Sequence, residues 1–277
     1  MSIYSTRYQG YDGPRESPTT RFLTIAEAEL RRFLQEKWAK RLVLLAWTPV
    51  IFLAGWLYLA LILKKVSGVE GPSLLVYDYL FRTELFFIAV ILAAFGAGVI
   101  VRDIDSKALT LYFTRPLDAA QYHLGKLIAT AALVLVVTLV PGLLLAVAQH
   151  AMAEEFRPLE LLDGLWRIAV CSFGIAFTGG NLILLLSSTG WSSRYVGAAW
   201  LGAFTLAEVI RGVLVTGLGS QPMLDLISLG RLFTGSVEFL FAGRSDQLPA
   251  LVSLYALGVF FFVWLRFRII TLERGKS

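Results

Sequence analysis

The chain is 277 residues long, 57% hydrophobic and 16% charged, with a mean hydropathy of +0.69. Soluble domains run about 45–50% apolar and about 25% charged, so these proportions exclude an ordinary soluble globular protein. The formal net charge of +5 does not imply nucleic-acid binding: no basic soluble module is present to hold it, and membrane proteins collect Lys and Arg in their inner loops.

Residues 1–20 are polar and rich in turn formers, with no apolar stretch before Leu42. They read as a flexible cytoplasmic tail rather than a cleavable signal. From Arg21 to Arg41 the pattern changes. Phe22, Ile25, Ala26, Leu30, Phe33, Leu34 and Trp38 recur every three to four positions, while Glu27, Arg31, Arg32, Gln35, Glu36 and Lys40 take other faces. An amphipathic helix of this kind lies in the membrane interface; a cytosolic helix packed on a partner has the same pattern. Interfacial placement is preferred because the stretch runs directly into an apolar segment.

Apolar runs then recur at Leu42–Leu63, Leu85–Val101, Leu127–Ala148, Leu165–Leu186, Tyr195–Val215 and Ala250–Leu265. A bilayer core about 30 Å thick takes about 20 helical residues to cross, and the runs lack the alternation of barrel strands. The expected fold is an all-α polytopic membrane protein of about six transmembrane helices, with the membrane domain over 42–266 and a cytoplasmic tail over 267–277. An even number of spans puts both termini on one side. Placing them inside gathers 17 of the 25 Lys and Arg on that side. These are the eight from Arg7 to Arg41, then Arg102, Lys107, Arg115 and Lys126, then Arg194, then the four from Arg266 to Lys276. Lys64 and Lys65 oppose this bias but are outnumbered, so both termini are expected in the cytoplasm.

Between the second and third spans runs the longest internal inner segment, RDIDSKALTLYFTRPLDAAQYHLGK over 102–126. Acidic Asp103 and Asp105 leave the second span. The Leu109-Thr110 and Arg115-Pro116 pairs follow, then Asp118, Gln121 and Tyr122, and Leu124-Gly125-Lys126 opens the third span. Asp118 suits the N-cap of a short helix after Pro116. This segment resembles the first cytoplasmic loop of ABC-2-type transporter permeases. The resemblance covers about 25 residues in sequence and the whole chain in layout, and Ala108-Leu109-Thr110 departs from the commoner Gly-Thr-Leu order. It implies a membrane-spanning subunit of an ATP-driven exporter in the bacterial inner membrane. It also implies a coupling helix in this loop, carried by Asp103, Asp105, Arg115, Pro116, Asp118, Gln121, Tyr122 and Lys126, that docks on a separate ABC ATPase. Two ATPase copies and a second, identical or related permease are the implied partners, in contact with membrane lipid and with ATP and Mg held on the ATPase. Arg21–Lys40 would be the family's elbow helix, and an outer re-entrant segment would fall in Thr216–Leu248.

Other chemistry is weakly represented. No G-x-x-x-x-G-K-[ST] is present, since Gly275-Lys276-Ser277 lacks the upstream glycine, so no P-loop binds ATP and no cofactor is expected in this chain. Glu154-Glu155-Phe156-Arg157 only begins an EE-x-x-x-R protease motif, because Leu159 replaces its Arg. His123, His150 and Cys171 have no partners at metal-binding spacing. No catalytic residue is assigned; an intramembrane enzyme and a non-transporting membrane anchor are the alternatives to a permease. Charges within spans mark functional sites or internal pairs. Glu208 and Arg211, three apart, pair across one turn or line a translocation path; Arg167 and Glu84, near span ends, snorkel outward. Gly96, Gly98, Gly174, Gly179, Gly180, Gly197 and Gly202 suit close helix packing.

Overall fold

The computed structural model describes residues 20–67, 75–109, 112, 117–152, 157–219 and 221–274. These residues form helices α1 (Arg21–Gln35), α2 (Lys37–Ala46), α3 (Thr48–Ser67), α4 (Leu75–Ile91), α5 (Gly98–Asp105), α6 (Ala119–Ala151), α7 (Pro158–Ser187), α8 (Ser193–Leu218), α9 (Pro222–Asp225), α10 (Leu229–Ala242) and α11 (Leu248–Arg274). A π-helical turn, Leu92–Gly96, joins α4 to α5. Six segments are long and apolar enough to cross a membrane: Lys37–Leu63, Val76–Asp105, Ala119–Ala151, Pro158–Ser187, Ser193–Gly217 and Ser245–Glu273. The chain is an all-α polytopic membrane protein.

The spans are longer than the apolar runs suggest, because charges at their ends are paired rather than looped out. Arg82 cuts the hydrophobic run of the second span, yet its guanidinium reaches Asp78 and Glu238, each at 2.7 Å. The stretch Arg21–Arg41, expected as one interfacial helix, is two. Glu36 is extended at φ −72°, ψ 118°, so α1 stops there and Lys37 already begins the first span. Within that span Pro49 lacks the amide that would meet the Leu45 carbonyl. The Thr48 hydroxyl donates to that carbonyl instead, at 2.7 Å, which satisfies a group that lipid cannot.

The second span is the hub. Its π-turn is gripped by the fourth and fifth spans. Ser187 Oγ donates to the Ala97 carbonyl at 2.8 Å and accepts from the Ile100 amide at 3.0 Å. The Trp200 indole donates to the Ala89 carbonyl at 2.9 Å. Gly197 lies so near Ala93 that a Cβ would stand 2.8 Å from its carbonyl oxygen. Gly202, by contrast, faces open space and meets no other helix among the described residues. Glu84, expected to snorkel, is fully buried, and neither carboxylate oxygen has a hydrogen-bond partner among the described residues. A turn toward the outside is closed to it because α4 is enclosed by α6 and α10.

At the end opposite α1, α9 and α10 fill the expected re-entrant segment. α10 has 14 residues, about 21 Å of helix, too short to cross a core about 30 Å thick. Ser228 caps its start by accepting from the Arg231 amide at 3.3 Å, and Gly243 ends it at φ 66°. Phe233 and Phe241 pack on Phe81, and Phe241 stacks on Tyr77. Arg211 finds its main partner here. It meets Asp225 at 2.6 Å but Glu208 only at 3.7 Å, so the expected Glu208–Arg211 pair is secondary. Asp225 also accepts from Arg231 at 3.4 Å. Asp225→Asn leaves two half-buried guanidiniums short of a counter-charge and is expected to cost about 1–3 kcal/mol. The check is a lower thermal midpoint of the purified protein, with faster proteolysis between Gly219 and Ser228.

Candidate functional site

The residues flanking the 102–126 loop converge where α1 crosses α6. Gly125 makes the crossing. A Cβ there would stand 2.7 Å from the Phe22 carbonyl oxygen and 2.8 Å from Ile25 Cβ, so only glycine lets α1 lie directly on α6. The next residue, Lys126, is fully buried beneath it. Its ammonium has three donors and three acceptors: Glu29 Oε1 and Asp103 Oδ2, each at 2.6 Å, and the Val99 carbonyl at 3.2 Å.

The network continues on both sides. Glu29 Oε2 accepts from Arg102 Nη2 at 3.1 Å, and Tyr122 donates to Asp103 Oδ2 at 2.8 Å. The Lys126 ammonium lies 5.4 Å from the centre of the Tyr122 ring, and Tyr112 packs on that ring at 5.6 Å. Two carboxylates and two cations sum to no net charge. Removing an ion from water costs several kcal/mol even after relaxation, so the cluster is stable only as a closed set. Burial, then the Asp103 carboxylate, hold the Tyr112 phenol above its ordinary pKa. Ile25, Val99, Ile100, Leu109, Leu184, Leu265 and Ile269 seal the cluster with apolar contacts.

Of the residues expected to form the docking face, Asp103, Tyr122 and Lys126 point inward into this knot. Asp105 and Asp118 are exposed and Gln121 is half-buried. Asp118 caps as expected, accepting from the Gln121 amide at 2.7 Å. The helix it caps is the 33-residue α6, so 119–126 forms the first two turns of the third span and no separate short helix. Arg115 and Pro116 lie outside the described residues. Glu208 and Arg211 sit on α8, apart from the knot.

Sequence reading missed Glu29. It falls on the stripe of Ile25, Ala26 and Phe33, the three buried residues of α1, and a carboxylate on an apolar stripe was the available signal. His123 is also buried, 3.1 Å from Asn181 Oδ1 and stacked near Phe262 at 4.5 Å. Among the described residues no group of three His, Cys, Asp or Glu can hold a metal ion. No family model and no curated protein matches the chain.

Lys126→Met leaves Glu29 and Asp103 without their shared cation and is expected to cost about 3–5 kcal/mol. Glu29→Gln costs less, because Lys126 keeps Asp103 and the Val99 carbonyl. Comparing the folded yield and unfolding midpoints of the two variants checks this order. Gly125→Val should also loosen α1, read as new protease cleavage within 21–35.

Proposed function

We propose that this chain is the membrane-spanning subunit of an ATP-driven ABC-type exporter, paired with a second permease copy and driven by separate ATPase subunits that carry ATP and Mg. In this reading both termini and the α1 end face the cytoplasm of a bacterial inner membrane, and the chain itself catalyses nothing. The observation that supports it best is the Lys126 knot. One buried ammonium ties α1, the end of the second span and the start of the third span to a single point, between the two helix ends that the 106–118 segment connects. A push from a soluble motor on that loop would reach three elements at once rather than bending a flexible connection.

A second observation favours the paired arrangement. Few residues in the apolar windows of the first and fifth spans are buried, and Glu208 stands about half-exposed midway along α8. A carboxylate facing lipid is costly, and a neighbouring permease on this face would shield it.

Two experiments test the reading. Single cysteines at Asp105, Ser106 and Asp118, with Cys171 replaced by Ala, should crosslink to a co-expressed ABC ATPase partner. Buried Tyr122 and His123 positions should not. ATP hydrolysis should require that partner; robust hydrolysis by the isolated chain, or crosslinks confined to the Arg194 loop, would overturn the assignment. For pairing, single cysteines at Val209 and Val213 should form disulfide-linked dimers in membranes, while the same change at exposed Trp166 on α7 should not.

A further inference from the structure

Between α1, α2, the π-turn and α6 lies a cavity of about 500 Å³, within the roughly 300–1,000 Å³ range of small-molecule sites. Its wall is graded. Along the second span it runs from Val90 through Phe95 to Arg102, roughly 18 Å of helix. The deep part is apolar, with Phe33, Phe95 and Leu133, and Ala94 opens space on the π-turn. The charges collect at the α1 end. Trp38, 70% exposed, stands at the rim, as interfacial aromatics do.

Four charged side chains line the cavity: Glu29, Arg102, Arg32 and Glu36. Glu29 is shared by Arg102 and Lys126. Arg32 and Glu36 make no ion pair among the described residues, whereas neighbouring Arg31 is paired to Glu27 at 2.6 Å. The two are four positions apart, about one helical turn, with opposite charge, at the polar mouth of an apolar slot.

We infer that this cavity holds one zwitterionic phospholipid of the phosphatidylethanolamine type, its phosphate on Arg32, its ammonium on Glu36, and one acyl chain against Phe33, Phe95 and Leu133. The shape requires an amphiphile, and the unmatched pair of opposite charges selects a headgroup that carries both. This assignment is independent of the exporter reading, since it uses only the wall of the cavity. The lipid would wedge α1 against the π-turn and so stabilise the junction that the Lys126 knot closes from the other side.

The test is native mass spectrometry of the full-length protein in detergent, titrated with phosphatidylethanolamine, phosphatidylglycerol or diacylglycerol. One phosphatidylethanolamine per chain is expected to persist, with phosphatidylglycerol weaker and diacylglycerol weakest. Arg32→Ala should weaken both phospholipids about tenfold, the scale of one charge-assisted hydrogen bond. Glu36→Gln should weaken phosphatidylethanolamine alone. Ala94→Trp fills the slot and should abolish the retained lipid; Ala94→Met, a milder filling, should reduce it while leaving the lipid-free unfolding midpoint unchanged. Equal binding of diacylglycerol, equal binding of the two phospholipids in wild type, or full retention in both Ala94 variants would each overturn the assignment.

Discussion

A charge sealed inside a membrane protein has few stable solutions, and the one found at Lys126 shapes the end of the bundle around it. An ammonium in a low-dielectric interior must meet anions directly, and three donors need three acceptors. Lys126 meets Glu29 from α1, Asp103 from α5 and a main-chain carbonyl of the same span. Each acceptor comes from a different turn of structure, so the bond set is also a positional constraint. α1 cannot slide along α6 without breaking the pair, and Gly125 fixes the distance at which the pair forms. The amphipathic helix is thereby part of the bundle rather than a loose float on its surface.

The second span carries this constraint inward. A π-turn widens the helix and disturbs its regular hydrogen-bond ladder, and such turns cluster at functional sites. Here the disturbance is met by Ser187 and Trp200, side chains of two other spans, both bonding to main-chain groups of the second. The result is that the second span is held by the fourth and fifth spans at mid-height and by α1 and α6 at its end. At the far end Arg82 ties it to Glu238 of α10, and Arg244 reaches the same carboxylate at 2.7 Å. One helix therefore links both surfaces of the molecule through polar contacts.

Much of this was legible in the sequence and some was not, for physical reasons. The six spans follow from apolar length, which lipid makes nearly obligatory. The Asp118 cap follows from local chemistry, since its bond to Gln121 spans three residues. The Leu124-Gly125-Lys126 element was visible as a pattern, but its meaning was not. Glycine and lysine act here through Phe22 and Glu29, about a hundred positions away, and no local periodicity records such a partner. The same limit explains Arg211. Helical spacing offered Glu208, while the fold delivered Asp225 on a segment whose path is set by turns. Glu84 failed the expectation of snorkelling because burial depends on which helices enclose a face, here α6 and α10, and not on distance from the span end.

The arrangement also bears on how such a bundle could move. Side-chain-to-backbone bonds join every span to a neighbour: Trp47 of the first donates to the Val136 carbonyl of the third, Trp200 of the fifth to Ala89 of the second, and Thr178 of the fourth to Leu254 of the sixth. Few residues in the apolar windows of the first and fifth spans are buried. Interfaces rich in directional bonds resist shear, since sliding breaks several bonds at once, whereas apolar contacts with lipid or a neighbour reform at small cost. Sliding of the first and fifth spans is therefore resisted at Trp47, Trp200 and Arg211, beside apolar faces that stay open. Glu208 lies on the exposed side of α8, one turn from Arg211, whose stronger bond to Asp225 holds α8 to α9. A carboxylate so placed has its preferred cation already engaged and keeps only the 3.7 Å contact with Arg211 among the described residues.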